Sequence, residues 1–531
     1  MKSVFLLILL ALSCWAQEIP LQQQQEGPVT TLRSESRLVL LDVVVGDAFG
    51  KPVRGLSKND FTILEDGKPQ NIDSFEPPED HKYALGIESA SGNQSGPTGP
   101  AGTQPLPSVS PALTILVIDG LNTAFMDLIY AREMVTKFLR THGPTLAQPT
   151  ALLRITDKRL ELIHDYSEDS ATLIDALKMH PMELPFRYGA DPGVVGSSDR
   201  LLDTLSCLEK IAAANANFAG RKNVIWVSSG FPAINGNTRQ ENDKIMSKVA
   251  DDMRSARLAV YTIDPKGLQV ITPGVAGYAN PGALQMATSD MDAPIGLRFF
   301  ENIAYETGGR TIYNRNDVDV AVADSVNDGT TYYTLAYYPS NRDWNGKFRK
   351  IKVTLAKPQL EARTRAGYFA IADTFENDDA TIDYLLAGAI RNPLPYKGLS
   401  LSVKFKPLPN RPGMARFEVA VDKHDLDWKS TANGDHVCSV MLVAMSVSRK
   451  DRVVKNDIKE LQGIVKAANF ETQMNRPLVL PFTAELPPNA ETMRVVVRDS
   501  GNGHIGTADI TVGEPGVANA GTNLPTHHSR N

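Results

Sequence analysis

Residues 114–123 read TILVIDGLNT, and this stretch constrains the fold more than any other in the chain. Ile115, Leu116, Val117 and Ile118 run without a break into Asp119, followed closely by Asn122, Thr123 and a helical pattern. A strand apolar on both faces belongs in a parallel sheet covered by helices on each side. Leu128, Ala131, Val135 and Phe138 recur at helical spacing and supply one covering face. Asn122 or Thr123 is predicted as the N-cap of that helix, its side chain taking a free backbone N–H. Ligands of open α/β sheets bind beyond the carboxyl ends of the strands, so Asp119 stands where a site is expected.

The form returns twice. Val224-Ile225-Trp226-Val227 runs into Ser228-Ser229-Gly230, and residues 258–263 run into Asp264-Pro265. Three strands therefore end in oxygen-bearing side chains. Through VIDGLNT, GRKNVIWVSSGFP, VYTIDPKG, TGGRTIYN, YYTLAYYP and RAGYFA, in that order, residues 38–370 resemble a von Willebrand factor type A (VWA) domain, in particular a bacterial secreted VWA-related subfamily. The resemblance implies a Rossmann-like α/β domain, with a mostly parallel central sheet and helices on both faces, that binds proteins rather than turning over a substrate.

In its metal-binding form the family ends the first strand in Asp-x-Ser-x-Ser and draws a second Asp from the fourth strand. Carried over, this implies Asp119, Thr123 and Ser229 as a degenerate metal-ion-dependent adhesion site for Mg²⁺, with Asn122 and Asp264 as additional oxygens. Leu121 stands where the first Ser belongs, and Ser229 where the second Asp does. Mg²⁺ wants a near-octahedral shell of oxygens, and one carboxylate is thin charge for holding it. The alternative is that Asp119 and Asn122 cap and order the turn, which needs no metal.

Nucleophilic catalysis is a poorer fit. Ser228 and Ser229 precede Gly230, but the nucleophile elbow needs Gly-x-Ser-x-Gly, and Val227 occupies the first glycine position. The nine histidines show no His-Glu-x-x-His spacing. Residues 189–196, GADPGVVG, have a loose P-loop outline without its Lys-Ser/Thr.

At 531 residues the chain needs several cores. Residues 1–16 read as a cleaved signal peptide, with Cys14 as an alternative lipid site, and residues 17–37 as a flexible leader. Residues 38–84 form a small β element with a hairpin signal at Asp66-Gly67, and residues 85–112 a Gly/Pro/Ser-rich linker. The VWA-like domain spans 113–328, and its segment 268–294 is expected to form a long loop facing a partner. Strands in 329–372 need a partner sheet, as does the N-terminal element, so the two are expected to pair with the VWA-like domain inserted between them. A helical connector (373–396), a β-sandwich-like domain (397–513) and a disordered tail (514–531) complete the chain.

Fifty-five basic against 61 acidic residues give a net charge of −6, with no basic field for nucleic acid. No apolar run is long enough to span a bilayer. Cys207 and Cys438, the two cysteines beyond residue 16, are expected to be independent, partly buried thiols. With the export signal, the resemblance implies an exported, non-enzymatic protein that binds another protein at the carboxyl edge of its sheet. A structural or assembly role in the cell envelope is the alternative, and a hydrolase built on Ser229 the third reading.

Overall fold

The computed structural model describes residues 38–81, 112–157, 159–182, 197–218, 220–230, 239–268, 298–371, 378–411, 413–448, 453–485, 490–511 and 517–519. The expected signal peptide and leader, nearly all of the linker, the P-loop-like segment and nearly all of the edge loop lie outside these residues.

The first strands are β1 (Val39–Gly46), β2 (Phe61–Glu65), β3 (Lys68–Gln70) and β4 (Ile72–Glu76). Asp66 and Gly67 join β2 to β3 with φ of 48° and 80°, the paired positive angles of a tight hairpin turn. β3 pairs only with β2, but β1, β2 and β4 take partners from much later in the chain, because the chain leaves to build an α/β unit before returning.

That unit runs β5 (Leu113–Asp119), α1 (Phe125–Thr141), β6 (Thr145–Ile155), β7 (Leu160–Asp169), α2 (Ser170–Met179), α3 (Ser197–Asn215), β8 (Lys222–Val227), α4 (Arg239–Ser255), β9 (Leu258–Ile263), α5 (Arg298–Thr307), β10 (Arg310–Ile312) and α6 (Val318–Thr330). Its six-stranded sheet has the order β10-β9-β8-β5-β6-β7, parallel throughout except for the β6–β7 edge pair. Strand alternation sorts the core into two layers. Ile115, Val117, Val224, Trp226 and Val260 face α3, α4 and α5. Leu116, Ile118, Ile225, Val227 and Tyr261 face α1, α2 and α6.

The returning chain supplies β11 (Tyr333–Tyr337), β12 (Phe348–Leu355), β13 (Glu361–Arg363) and β14 (Gly367–Phe369). Together with β1–β4 they make two four-stranded sheets, β13-β1-β11-β4 and β14-β12-β2-β3, which share a core of Leu41, Val43, Phe61, Ile63, Tyr333, Leu335 and Ile351. The sequence reads residues 362–370 as one strand, whereas β13 and β14 belong to different sheets. The switch is made where Gly367 passes so close to β12 that a Cβ there would lie 2.2 Å from Arg349 O. Inside this module Glu65 and Arg349, both almost fully buried, form an ion pair at 3.2 Å, and Glu65 also accepts from Tyr337 Oη (2.7 Å) and Tyr368 Oη (2.9 Å).

After α7 (Asp379–Arg391), capped by Asp378 accepting from Thr381 N, come β15 (Leu401–Pro407), β16 (Met414–Val421), β17 (Lys429–Ser430), β18 (His436–Ser448), β19 (Val453–Val465), β20 (Leu478–Glu485), β21 (Ala490–Asp499), β22 (Ile505–Thr511) and β23 (Val517–Asn519). They form two sheets, β20-β16-β15-β23 and β17-β18-β21-β22 with β19 added on β18, around Val403, Phe417, Leu442 and Val495. Sequence periodicity misses β19 because it is held by main-chain pairing to β18, with Ile458 and Ile464 left exposed. Part of the predicted disordered tail is ordered too, since Val517–Asn519 pairs with β15. Cys207 and Cys438 are free and fully buried rather than partly buried. Among the described residues no helix is long and apolar enough to cross a membrane.

Candidate functional site at the carboxyl edge of the sheet

β5 and β8 lie side by side in parallel, with Val117 opposite Trp226 and Ile118 opposite Val227. One step further this register brings Asp119 beside Ser228. Asp119 is completely buried, and its carboxylate is the acceptor at the centre of the site. Oδ1 accepts from Leu121 N (2.9 Å) and Asn122 N (3.1 Å). Oδ2 accepts from Asn122 Nδ2 (2.9 Å), Trp226 Nε1 (3.0 Å) and Ser228 Oγ (2.8 Å). A carboxylate offers about four lone-pair directions, so five donors use its capacity fully.

The remaining residues extend this network. Asn122 Nδ2 also reaches Thr204 Oγ1 of α3 at 2.8 Å, and the Thr204 hydroxyl donates to Arg200 O. Thr123 Oγ1 accepts from Ser229 N at 3.2 Å, which joins the β5 turn to the β8 turn through main chain. The Ser229 hydroxyl and Asn122 Oδ1 are buried without a hydrogen-bond partner. Asp264, at the end of β9, turns back to accept from Lys266 N at 3.0 Å, while Lys266 Nζ donates to Ser229 O at 3.1 Å. Burial raises the Asp264 carboxyl above its ordinary range, against the opposing pull of Lys266.

The helix cap differs from the sequence expectation. The N-cap of α1 is Ala124, with no side-chain hydrogen bond, because Asn122 is turned toward Asp119 and Thr123 toward Ser229. Asp119, Asn122, Thr123 and Ser229 are brought together, but the serine that touches Asp119 is Ser228. Asp264 lies at the same edge in a turn of its own. Sequence reasoning weighed Ser228 only as a nucleophile, not as a partner of Asp119, and missed Trp226 and Thr204. Strand parity carried the signal for the first two, since Trp226 and Ser228 share a face of β8 and Asp119 lies on the matching face of β5.

This donor set does not fit Mg²⁺. The one carboxylate in the cluster is saturated by N–H and O–H donors, Thr123 Oγ1 is engaged by a backbone amide, and the Lys266 ammonium reaches Ser229. A hard dication needs free, charged oxygens. Among the described residues no group of three or more His, Cys, Asp or Glu is placed to hold a metal. Ser228 Oγ donates directly to Asp119, and among the described residues no histidine bonds either serine.

No family model matches the chain, and no curated protein matches it. Its weak structural neighbours include a VWA domain and a pilus adhesin. The SpRpn10 VWA domain is 12% identical, with 40% of this chain and 93% of that one covered at a TM-score of 0.21. The pilus adhesin SpaC from Lactobacillus rhamnosus GG is 9% identical over 73% of this chain, at a TM-score of 0.25. Proximal thread matrix protein 1 from the mussel byssus is 9% identical over 41% of this chain, at a TM-score of 0.24. The chain spans about half the length of the last two, 54% of the adhesin and 48% of the byssus protein. In its own right the chain is a mixed α/β protein with a mostly parallel sheet, flanking helices and additional β-sheets.

Proposed function

We propose that this chain is an exported, non-enzymatic protein of VWA type that captures another protein at the carboxyl edge of its parallel sheet, without a resident metal. The observation that carries the reading is a pair of exposed apolar side chains on that edge. Met126, in the first turn of α1 after β5, is 74% exposed, and Leu268, after β9, is 60% exposed. They belong to one rim: Tyr130, one helical turn below Met126, donates to Asn316 O, and Asn316 Oδ1 accepts from Leu268 N. Apolar side chains exposed around a polar floor favour a protein partner over a small polar substrate. The floor holds its shape through Asp119, so the rim is presented on a rigid support.

The test is capture from an envelope fraction by wild type and by Met126→Glu/Leu268→Glu, with and without chelator. The reading expects specific capture by wild type that is indifferent to chelator and lost in the double variant at unchanged thermal stability. Equal capture by the double variant contradicts the location of the surface, and capture abolished by chelator contradicts the metal-free reading.

A further inference from the structure

A cleft of about 300 Å³, its open mouth included, lies at the opposite edge of the parallel sheet, where β8 and β9 begin and β1 passes beneath them. Its walls carry four guanidinium groups, from Arg221, Arg254, Arg257 and Arg365, and a single carboxylate, from Asp42. The charges are not evenly matched. Arg257 is paired with Asp42, and Arg254 is held by Asp251 and Glu306 outside the cleft. Among the described residues Arg221 and Arg365 form no ion pair with a carboxylate. Arg221 donates to two neutral acceptors, Asn223 Oδ1 (3.0 Å) and Tyr261 Oη (3.1 Å), and Arg365 to Leu40 O (3.0 Å). Guanidinium is effectively always charged, and neutral acceptors do not balance a charge withdrawn from water.

Two further groups line the same cleft. Arg365 Nε and the neighbouring Thr364 Oγ1 are buried without a hydrogen-bond partner. Buried polar atoms are nearly always satisfied, so adjacent orphans beside a cationic cleft call for an acceptor. Burial lowers the Arg365 guanidinium below its ordinary range, while the surrounding arginines, led by Arg257, outweigh burial and hold Asp42 below the usual carboxylate range.

We propose that this cleft is a binding site for a tetrahedral oxyanion of the phosphate kind, held by Arg221 and Arg365 and by the Thr364 hydroxyl. Planar guanidinium forks match such an anion with paired, charge-assisted hydrogen bonds. The site stands apart from the carboxyl edge, because the strands between them span about 20 Å at ~3.3 Å per residue.

The experiment is titration calorimetry of the full chain with inorganic phosphate at constant ionic strength, chloride being the balancing anion. The expected result is a saturable single-site isotherm, weakened at least tenfold in Arg365→Gln. Thr364→Val keeps every charge and removes one orphan, so it serves if Arg365→Gln fails to fold, and a severalfold loss is expected there. O-phosphoserine distinguishes the source: competition with phosphate assigns the site to a phosphoryl group on a larger molecule, and binding of phosphate alone assigns it to the free ion. Absence of a saturable isotherm for wild type, or unchanged affinity in both folded variants, overturns the proposal.

Discussion

Trp226 Nε1 donates to Asp119 Oδ2 at 3.0 Å across two neighbouring parallel strands, and both side chains are fully buried. An indole in the sheet core is thereby spent on orienting a carboxylate at the strand ends. A carboxylate so held is a hub that fixes two turns. Trp226→Phe keeps most of the bulk and loses the donor, so it should cost about 1–2 kcal/mol in chemical denaturation. Asp119→Ala strips the acceptor from several buried donors and should cost about 3 kcal/mol or more. A turn-capping role alone would cost less, because a cap serves one or two amides whereas Asp119 serves five donors. A loss under ~1 kcal/mol for Asp119→Ala would contradict the hub.

The small β module rests on the buried Glu65–Arg349 pair. Arg349→Met leaves Glu65 with only Tyr337 and Tyr368 as donors and should cost about 3–5 kcal/mol. Glu65→Gln/Arg349→Met together should cost clearly less than the sum of the single changes, which a double-mutant cycle measures directly.

His81 makes stability depend on pH. Its ring stacks on Tyr332 at 4.1 Å and meets Thr334 Oγ1 at 3.2 Å, and burial lowers its pKa from 6.5 to about 4. The folded protein therefore holds the imidazole neutral while the unfolded chain takes up a proton. This contribution is complete above pH 6.5, declines as pH falls and is gone below about 4, amounting to roughly 3 kcal/mol. His81→Phe should flatten the denaturation free energy across that window, and an unchanged slope would rule His81 out as the cause.

Gly309 shows how closely α5 and β10 approach β9. A Cβ there would lie 1.9 Å from Val260 O, so Gly309→Ala should cost about 3 kcal/mol or more. Gly55 has a φ of 75° but open space around it, and Gly55→Ala should cost only about 1 kcal/mol of backbone strain. Thermal denaturation of the two variants side by side checks this ordering.

The sequence exposed what depends on short-range pattern. The aliphatic runs at Ile115 and Val224 are continuous because both faces of β5 and β8 are covered, and the Asp66-Gly67 turn is set by its own two residues. It was silent on what depends on pairing. β19 has an interrupted apolar pattern and is held by β18, and Gly367 switches the chain between sheets by a close approach that only the neighbouring strand defines. At the site, Asp119, Asn122 and Thr123 stood out through their spacing, whereas Thr204 arrives from a distant helix and no local pattern announces it. Ser228 was legible in principle, since counting by twos from Trp226 puts it on Asp119's side of the sheet.

The most direct test of the account is Mg²⁺ titration calorimetry on the full chain, with Asp119→Asn beside wild type. Because the carboxylate of Asp119 is already occupied by Leu121, Asn122, Trp226 and Ser228, the account predicts no saturable heat up to millimolar Mg²⁺ in either protein. Micromolar Mg²⁺ affinity in wild type that disappears in a folded Asp119→Asn variant would contradict it.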